Sequence, residues 1–280
     1  MDQERRSRTQ GLIAQLNRLL PTTWLKLSVV LHGAAIAAVL VNWRVWPWSA
    51  LVLVANHVLL AAGGLFPRSR LLGPNCTRLP AGLRAVALTI DDGPDPEVTP
   101  AVLDLLARHQ VRATFFCIGD RVAQHPELAR RIAREGHEIG NHSEHHRYVF
   151  SLFGPAAMRC EIALAQASIQ AVCLAVPRFF RAPAGLRNPF LQPCLTDLGL
   201  QLASWTRRGY DTVNADAEAV LARLTHNLGA GDILLLHDGR AARAPDGTPV
   251  ILAVLPRLLP MLASRSLRCV TLSEGISGRP

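Results

Sequence analysis

Two adjacent carboxylates stand where an apolar run ends in the stretch ALTIDDGPDPEVTP, residues 87–100. Asp91 and Asp92 follow the apolar residues directly, and Gly93 and Pro94 come next. Neighbouring carboxylates repel each other unless a cation or a shared proton lies between them. The pair therefore indicates a metal site or an acid/base site. Because Asp, Gly and Pro are also common turn residues, a solvated turn is the alternative.

A second group of candidate ligands lies in the stretch GHEIGNHSEHH, residues 136–146. His142 and His146 are four residues apart, so that on a helix they would share one face and bind a single metal ion. His145 is out of phase with that face and is expected at the pocket edge or in solvent. One H-x-x-x-H spacing is weak evidence for a metal by itself. It follows a predicted strand, however, as the paired carboxylates do, and this shared position favours a common site.

Three further polar residues follow predicted strands in the same way. They are Arg181 in FFRAPAG, Asp211 shortly after LASW, and His237 in LLLHDG. In a parallel α/β barrel the carboxyl ends of all strands open on one face, where residues distant in sequence converge. His237 taken alone is better explained as a core histidine with satisfied hydrogen bonds. Five such strand ends on one predicted face favour an active site instead.

The elements that must position these residues begin at Arg84, where short apolar runs start to alternate with amphipathic ones. The patterns TPAVLDLLARH (99–109) and PELARRIAREG (126–136) predict helices, with Pro126 at a helix start and Gly136 at its end. Repeated alternation of strand and helix predicts a parallel sheet, open or closed into a barrel. The predicted strands are AVALTI (85–90), ATFFCI (113–118), HEIG (137–140), RFFR (178–181), LQLASW (200–205), DILLLH (232–237) and LRCVTL (267–272).

Two apolar runs precede this region, residues 24–42 and 47–66, and the segment WRVW separates them. One continuous helix would span about 60 Å, roughly twice a hydrocarbon core, so a transmembrane hairpin of two helices fits better. Tryptophans at the run ends suit an aromatic belt, and Pro47 suits a first helical turn. A buried helical pair in a soluble protein is the alternative. A cleaved signal peptide fits poorly, because the apolar region starts late and is doubled.

The composition restricts the class of protein and its partners. The chain has 280 residues and a formal net charge of +9, carried almost entirely by arginine because Lys26 is the only lysine. Such a length can bury one large α/β domain with an appendage. The charge favours contact with anions, but scattered arginines without a binding motif argue against nucleic acid. The six cysteines lack C-x-x-C spacing and are expected as buried thiols in a reducing compartment, with an oxidised pair as the alternative.

Four motifs together resemble those of a known family: TIDDGP (89–94), HSEHH (142–146), RAPAG (181–185) and LLLHD (234–238). Their types, order and spacing are similar to those of the NodB-type polysaccharide deacetylases, carbohydrate esterase family four. The resemblance implies an α/β fold, a distorted (β/α)7 barrel, with a divalent metal, most often zinc, that removes N-acetyl groups from amino sugars. The expected organisation is a basic segment (1–22), a transmembrane hairpin (23–66), a linker (67–84), the NodB-homology domain (85–276) and a tail (277–280).

The resemblance also implies a role for each strand-end residue. Asp91 would be the general base, oriented by Arg181. His237 would be the general acid that protonates the departing amine, held and tuned by Asp211. The implied metal ligands are Asp92, His142 and His146. Three protein ligands leave coordination positions open, as a catalytic metal requires.

One motif departs from the family pattern. Where the family usually has Asp-x-x-Asp-Trp, this chain has RGYDT, so that Arg208 replaces the first aspartate and Thr212 the tryptophan. The proline and tyrosine common in the third motif are Ala182 and Ala184 here. The implied catalytic residues are all present, whereas substrate shape and charge preference are expected to differ. The predicted substrate-binding set is Ala184, whose neighbouring backbone N–H would stabilise an oxyanion, with Arg208 and Trp205.

The sequence therefore predicts a membrane-anchored, metal-dependent deacetylase of an N-acylated amino sugar. Arginines flank both ends of the hairpin and only Arg44 lies in its turn, so the positive-inside rule places the catalytic domain on the cytoplasmic side of the inner membrane. A polyprenyl-phosphate-linked sugar would be accessible there, and its phosphates would explain Arg208. Solvated arginines, or arginines on lipid headgroups, are the alternative. Rival functions are a periplasmic deacetylase of peptidoglycan or an exported polysaccharide, a deformylase of a lipid-linked sugar, and a catalytically silent sugar-binding module.

Overall fold

A computed structural model describes residues 22–278, in which a helical hairpin precedes one α/β domain. The predicted basic segment lies almost wholly outside the described residues, as does the end of the tail. The helices are α1 (Thr23–Val41), α2 (Trp46–Leu65), α3 (Thr99–Arg108), α4 (Gly119–Gln124), α5 (Pro126–Arg134), α6 (Pro155–Cys173), α7 (Leu191–Asp197), α8 (Ala217–Thr225), α9 (Val250–Ser264) and α10 (Leu272–Ser277). The strands are β1 (Ala85–Asp91), β2 (Thr114–Cys117), β3 (Glu138–Asn141), β4 (Phe179–Phe180), β5 (Gln201–Leu202), β6 (Arg207–Arg208), β7 (Ile233–His237) and β8 (Arg268–Val270).

The predicted parallel sheet is confirmed. Seven strands follow the order β5-β4-β3-β2-β1-β7-β6, and β8 pairs with the first residues of β1. Strand β6 is an addition to the predicted set, because two consecutive arginines carry no apolar pattern. The strand forms because it pairs with a neighbour: Arg207 and Arg208 align with Leu234 and Leu235 of the buried strand β7.

The sheet curves into an incomplete barrel. Its two edge strands are consecutive in the chain: β5 ends at Leu202 and β6 begins at Arg207. Five residue steps span at most about 18 Å, whereas six strand spacings across a flat sheet would separate the edges by about 29 Å. The sheet must therefore bend, which agrees with the predicted distorted (β/α)7 fold.

The segment predicted as a linker, residues 67–84, packs along the open edge of the barrel. Cys76 forms an isolated bridge with Ala203, accepting from the N–H of Ser204 at 2.9 Å and donating to the Leu202 carbonyl at 2.9 Å. Cys76 therefore extends the hydrogen bonding beyond β5. No local pattern predicts this pairing, because residues 67–84 contain Pro and Gly between few apolar residues.

Alternation along the strands separates two apolar layers. In β1, Val86, Leu88 and Ile90 join the cluster under the surrounding helices, whereas Ala85 and Ala87 join the cluster inside the barrel. The same alternation in β7 places residues 234 and 236 outside and residues 233 and 235 inside. Because side chains alternate with a period of two along a strand, residues 91 and 237 must also face the barrel interior, at the carboxyl ends of their strands.

The described cysteines are all free. Cys117 and Cys194 are buried, as expected from the sequence. The expectation of burial is wrong for Cys160, which is exposed on α6, and three others are only partly buried: Cys76, Cys173 and Cys269. The apolar residues on the buried face of that helix are Met158, Ile162, Ala165 and Ile169, and residue 160 lies on the opposite face.

The apolar runs form two helices joined by a short turn, Trp43–Val45. Helices of 19 and 20 residues are about 28–30 Å long, close to the thickness of a hydrocarbon core. Windows of mean hydropathy 1.9 and 1.6 identify both as long and apolar enough to cross a membrane. Only 17% of each window is buried, so the described residues do not enclose the helical pair in a core. Inside the pair, the Asn56 side chain donates to Ser28 Oγ at 2.8 Å.

The end of the hairpin packs against the α/β domain. The N–H of Arg187 donates to the Gly64 carbonyl at 3.2 Å, and a Cβ at Gly64 would collide with the Arg187 carbonyl oxygen. A Cβ at Gly185 would lie 2.6 Å from the Trp205 ring and 2.9 Å from Pro67. Both glycines therefore permit close approach between the segment that leaves α2 and the turn that follows β4.

Candidate active site

The first strand ends in the paired carboxylates. Asp91 faces the barrel interior, and Asp92 leaves the strand with φ 73°, a left-handed conformation that turns its side chain out of the regular alternation. Gly93 is required next, because a Cβ there would collide with the buried carboxylate of Asp238. Burial raises the pKa of Asp238 to about 7, against the hydrogen bond that it accepts from Thr99. The two carboxylates that the sequence placed at the strand end thus both reach the pocket.

The paired histidines follow β3 on a loop, not on a helix. The prediction that a helical face aligns them is wrong, because Ser143 and His146 adopt φ 63° and 49° and fold the loop back on itself. The Asn141 side chain holds this loop by accepting from the N–H of Ser143 at 2.9 Å. His145 points away from the pair and lies 3.0 Å from Glu161, half-exposed as expected for its phase.

Three buried ligand atoms converge between these two strand ends. The Nε2 atoms of His142 and His146 lie 3.2 Å and 3.1 Å from Asp92 Oδ1, and the three lie within 4.8 Å of one another. Asp92 Oδ1 is buried without a hydrogen bond of acceptable geometry. An unpartnered carboxylate oxygen facing two imidazole nitrogens is a donor set suited to zinc, so these residues fit the metal that the resemblance implies.

Protonation states in this cluster favour cation binding. His142 Nδ1 donates to the Arg181 carbonyl at 2.8 Å, which leaves its Nε2 lone pair directed at Asp92. Burial, aided by His142, lowers the pKa of His146 to about 4, so that this ring is neutral near pH 7. Burial opposes ionisation of Asp92, but the close approach of His142 and His146 to its carboxylate outweighs burial and lowers the pKa of Asp92.

The contact that Arg240 makes with His146 opposes metal binding. Its Nη1 donates to His146 Nδ1 at 2.8 Å, which assigns the ring proton to Nε2. Ligation through Nε2 needs the opposite tautomer. The hydrogen bond from Arg240 must therefore be released when a cation is held by these three residues.

The predicted base is held by a buried arginine. Arg181 is 1% exposed and donates to Asp91 Oδ1 at 2.6 Å and to Thr89 Oγ1 at 2.8 Å. It also donates to the carbonyls of Ala203 and Ser204, so four acceptors fix its guanidinium. The second oxygen of Asp91 lies 3.8 Å from His142 Nε2. One oxygen of Asp91 is thus anchored by Arg181, while the other faces the cluster of Asp92, His142 and His146.

The predicted acid lies beside the predicted base. Asp91 and His237 are register partners on the adjacent strands β1 and β7. Asp211, fully buried, accepts from His237 Nδ1 at 2.8 Å and from its backbone N–H at 2.7 Å. Burial alone would lower the pKa of His237, but the Asp211 carboxylate outweighs burial and raises it. The pair therefore favours a protonated imidazole whose Nδ1 is fixed.

The predicted substrate-binding residues border this site. Ala184 is exposed in the turn Pro183–Gly185 with φ 53°. Trp205 is 7% exposed, and its ring lies 5.8 Å from the Arg181 guanidinium. The Arg208 guanidinium also lies over the Trp205 ring, 5.4 Å from its centroid. Trp205 therefore links Arg208 to Arg181, which holds Asp91, and Ala184 lies three positions after Arg181 in the turn that follows β4.

Sequence reasoning missed Thr89 and Tyr148, and it placed Arg240 near the rim without its contact to His146. Thr89 shares the inner face of β1 with Asp91, and a hydroxyl in a fully buried strand was the available signal. The Tyr148 ring lies 6.2 Å from His146 and 5.5 Å from the Arg240 guanidinium. The contact between Tyr148 and Arg240 joins loops 92 residues apart, and no local pattern predicts it.

The fold is a parallel half-barrel. Its strand ends carry three converging metal-type ligands, an anchored carboxylate and a histidine–aspartate pair. These features together are typical of the hydrolytic α/β barrels. The family follows from comparison with known proteins. The polysaccharide deacetylase family profile matches residues 79–203. The chain belongs to the NodB-type polysaccharide deacetylases, carbohydrate esterase family four.

Named relatives share most of the α/β domain. The chain is 36% identical over 198 residues to a peptidoglycan-N-acetylglucosamine deacetylase of Bacillus cereus, which covers 70% of this chain and 90% of the relative. It is 39% identical over 160 residues to a chitooligosaccharide deacetylase of Bradyrhizobium sp., covering 57% and 73%. The crystal structure of the Bc1960 peptidoglycan N-acetylglucosamine deacetylase superposes with a TM-score of 0.67 at 28% identity, covering 72% and 92%.

Proposed function

We propose that this protein is a metal-dependent N-deacetylase of an amino sugar in a membrane-associated or lipid-linked glycan. The observation that carries the proposal is the convergence of Asp92, His142 and His146 on one point, with Asp91 on the adjoining face. The named relatives deacetylate N-acetylglucosamine polymers or oligosaccharides, which supports the amide of an amino sugar as the bond that is cleaved.

The residues of the chain divide the hydrolysis between them. Held by Asp92, His142 and His146, zinc would activate a water molecule and polarise the acetamide carbonyl. Asp91 accepts the proton of the attacking water, and the hydrogen bond from Arg181 holds the carboxylate in place. His237 donates a proton to the departing nitrogen, because an amide anion is a very poor leaving group. The N–H near Ala184 donates to the developing oxyanion.

Acetate release tests the proposal and separates it from the deformylase alternative. Purified full-length protein loaded with zinc is incubated with a lipid-linked N-acetylglucosamine and with chitotriose, and acetate is quantified enzymatically. The expected product is acetate. A matched N-formyl sugar is assayed in parallel, and faster formate release than acetate release would favour the deformylase. Release of neither acid by the loaded protein would favour the silent sugar-binding module.

Substituting Asp211→Asn is expected to move the alkaline limb of the kcat/KM profile to lower pH. His237 must be protonated to act as the acid, so activity falls as pH rises through its pKa. The Asp211 carboxylate raises that pKa, and removing its charge lowers it. The measurement is kcat/KM against pH for both proteins. An unchanged alkaline limb would contradict the role of His237 as the acid.

The exposed apolar hairpin supports a membrane anchor. Exposed side chains such as Leu40 (82%) and Val41 (88%) cover much of its surface, and a hydrocarbon core would remove them from water. Two crossings return the chain to its starting side. Under the positive-inside rule the arginines on both flanks keep that side in the cytoplasm.

A reporter fused after Pro280 tests this topology. Alkaline phosphatase fused there is expected to be inactive and green fluorescent protein fluorescent, because the α/β domain remains in the cytoplasm. Alkaline phosphatase fused within the turn Trp43–Val45 serves as the control and is expected to be active. The reverse pattern would place the active site outside, within reach of peptidoglycan or an exported polysaccharide.

A further inference from the structure

A basic cavity lies between the end of the hairpin and the barrel. Its volume is about 840 Å³. Trp205 and Tyr210 form its aromatic wall, and no Asp or Glu lines it within the described part of the chain. Four arginines line it: Arg68, Arg207, Arg208 and Arg223. We call it the arginine cavity.

Stacking holds two of these arginines with their N–H groups available. The Arg208 guanidinium lies 5.4 Å from the Trp205 ring and 4.9 Å from the Tyr210 ring, and Arg223 lies 5.4 Å from the Tyr210 ring. Buried Arg208 Nε has no hydrogen-bond partner. Of the arginines that line the cavity, Arg207 alone forms an ion pair among the described residues, with Asp232 at 3.1 Å. A planar guanidinium stacked on a ring presents its edge to an anion.

The arginine cavity shares walls with both the catalytic centre and the hairpin. Trp205, which Arg208 covers, also contacts Arg181, the residue that holds Asp91. Asp211, which holds His237, is the next residue after Tyr210. On its other side the cavity is lined by residues 66–68, which directly follow the last residue of α2. A ligand here would touch the end of the membrane anchor and lie beside the reacting sugar.

We propose that the arginine cavity binds the phosphate group through which the amino sugar is joined to its lipid. The proposal rests on the lipid-linked substrate proposed above and names the residues that select it. A phosphate or diphosphate carries at least one negative charge that two unpaired guanidiniums can bind in a bidentate manner. The cavity lies where such a group must be if the sugar enters the barrel and the lipid stays beside the hairpin.

The test compares two substrates in purified full-length protein. One is N-acetylglucosamine joined through a diphosphate to a short polyprenyl chain, and the other is neutral chitotriose. Arg223→Gln and Arg208→Gln are each expected to lose at least about tenfold more kcat/KM on the diphosphate substrate than on chitotriose, as charge-assisted hydrogen bonds to phosphate are lost. Arg134→Gln, at an exposed position at the end of α5, is the matched control and should not change this ratio.

Inorganic pyrophosphate and short-chain phosphatidylglycerol identify the source of the anion. Pyrophosphate is expected to inhibit turnover of the diphosphate substrate competitively and to bind the wild type more tightly than Arg223→Gln by calorimetry. Equal losses on both substrates would overturn the proposal. The proposal would also be overturned if the variants kept the wild-type ratio of kcat/KM between the two substrates but lost affinity for phosphatidylglycerol. The cavity would then hold a lipid headgroup. A wild type inactive on both substrates that still binds pyrophosphate through Arg208 and Arg223 would instead refute the proposed deacetylase function.

Discussion

Substituting His142→Ala is expected to remove both bound zinc and deacetylase activity while leaving the fold intact. The ring contributes one of three converging ligand atoms, 3.2 Å from Asp92 Oδ1. Loss of a residue that only orients a ligand typically costs about 10–100-fold in metal affinity, so loss of a ligand should cost more. The measurements are zinc content by elemental analysis and acetate release, with circular dichroism to check the fold.

His145→Ala is the matched control for this variant. It removes a neighbouring imidazole that contacts Glu161 instead of the cluster. Zinc content and turnover should stay near those of the wild type. Full zinc occupancy in His142→Ala, with a normal circular dichroism spectrum, would refute the assignment of the metal site.

Substituting Asp91→Asn is expected to keep the zinc and lose most of the turnover. Asp91 Oδ1 is held by Arg181 at 2.6 Å, and its other oxygen is the acceptor proposed for the proton of the attacking water. General base catalysis typically contributes about 10² to 10⁴-fold, and asparagine preserves the shape of the side chain without its basicity. The readouts are kcat from acetate release and zinc per chain.

The companion variant Asp92→Asn separates the two carboxylates. It alters the proposed ligand and should lose zinc as well as turnover. If Asp91→Asn lost its zinc while Asp92→Asn kept it, the roles of base and ligand would be exchanged between the neighbours. That result would also require an explanation of why Asp92 Oδ1, and not Asp91, faces both histidine Nε2 atoms.

Strand periodicity made the catalytic face predictable. The alternation that buries Ala85 and Ala87 inside the barrel reaches Asp91, and the alternation through Leu235 reaches His237. Parallel strands then bring these ends together regardless of their separation in sequence. The direction of Asp92 was predictable in part, since Gly93 and Pro94 indicate that the strand stops there.

Features that depend on tertiary contacts were not predictable. His142 and His146 converge through left-handed residues in a loop, although their spacing equally fits a helix. Strand β6 exists because β7 offers it a partner, and its own sequence has no strand pattern. The docking of α2 on the turn after β4 depends on Gly64 and Arg187, which are 123 positions apart. Contacts between segments so distant in sequence can be identified only from the three-dimensional structure.

Zinc-dependent deacetylation is tested most directly by measuring acetate release as a function of bound zinc in one preparation. Purified full-length protein is stripped with a chelator and titrated with zinc, and both acetate release from a lipid-linked N-acetylglucosamine and zinc per chain are recorded. The account predicts no release from the stripped protein and a rate that rises in proportion to zinc until about one ion per chain is bound. Undiminished acetate release from the stripped protein, or no release from the fully loaded protein, would contradict it.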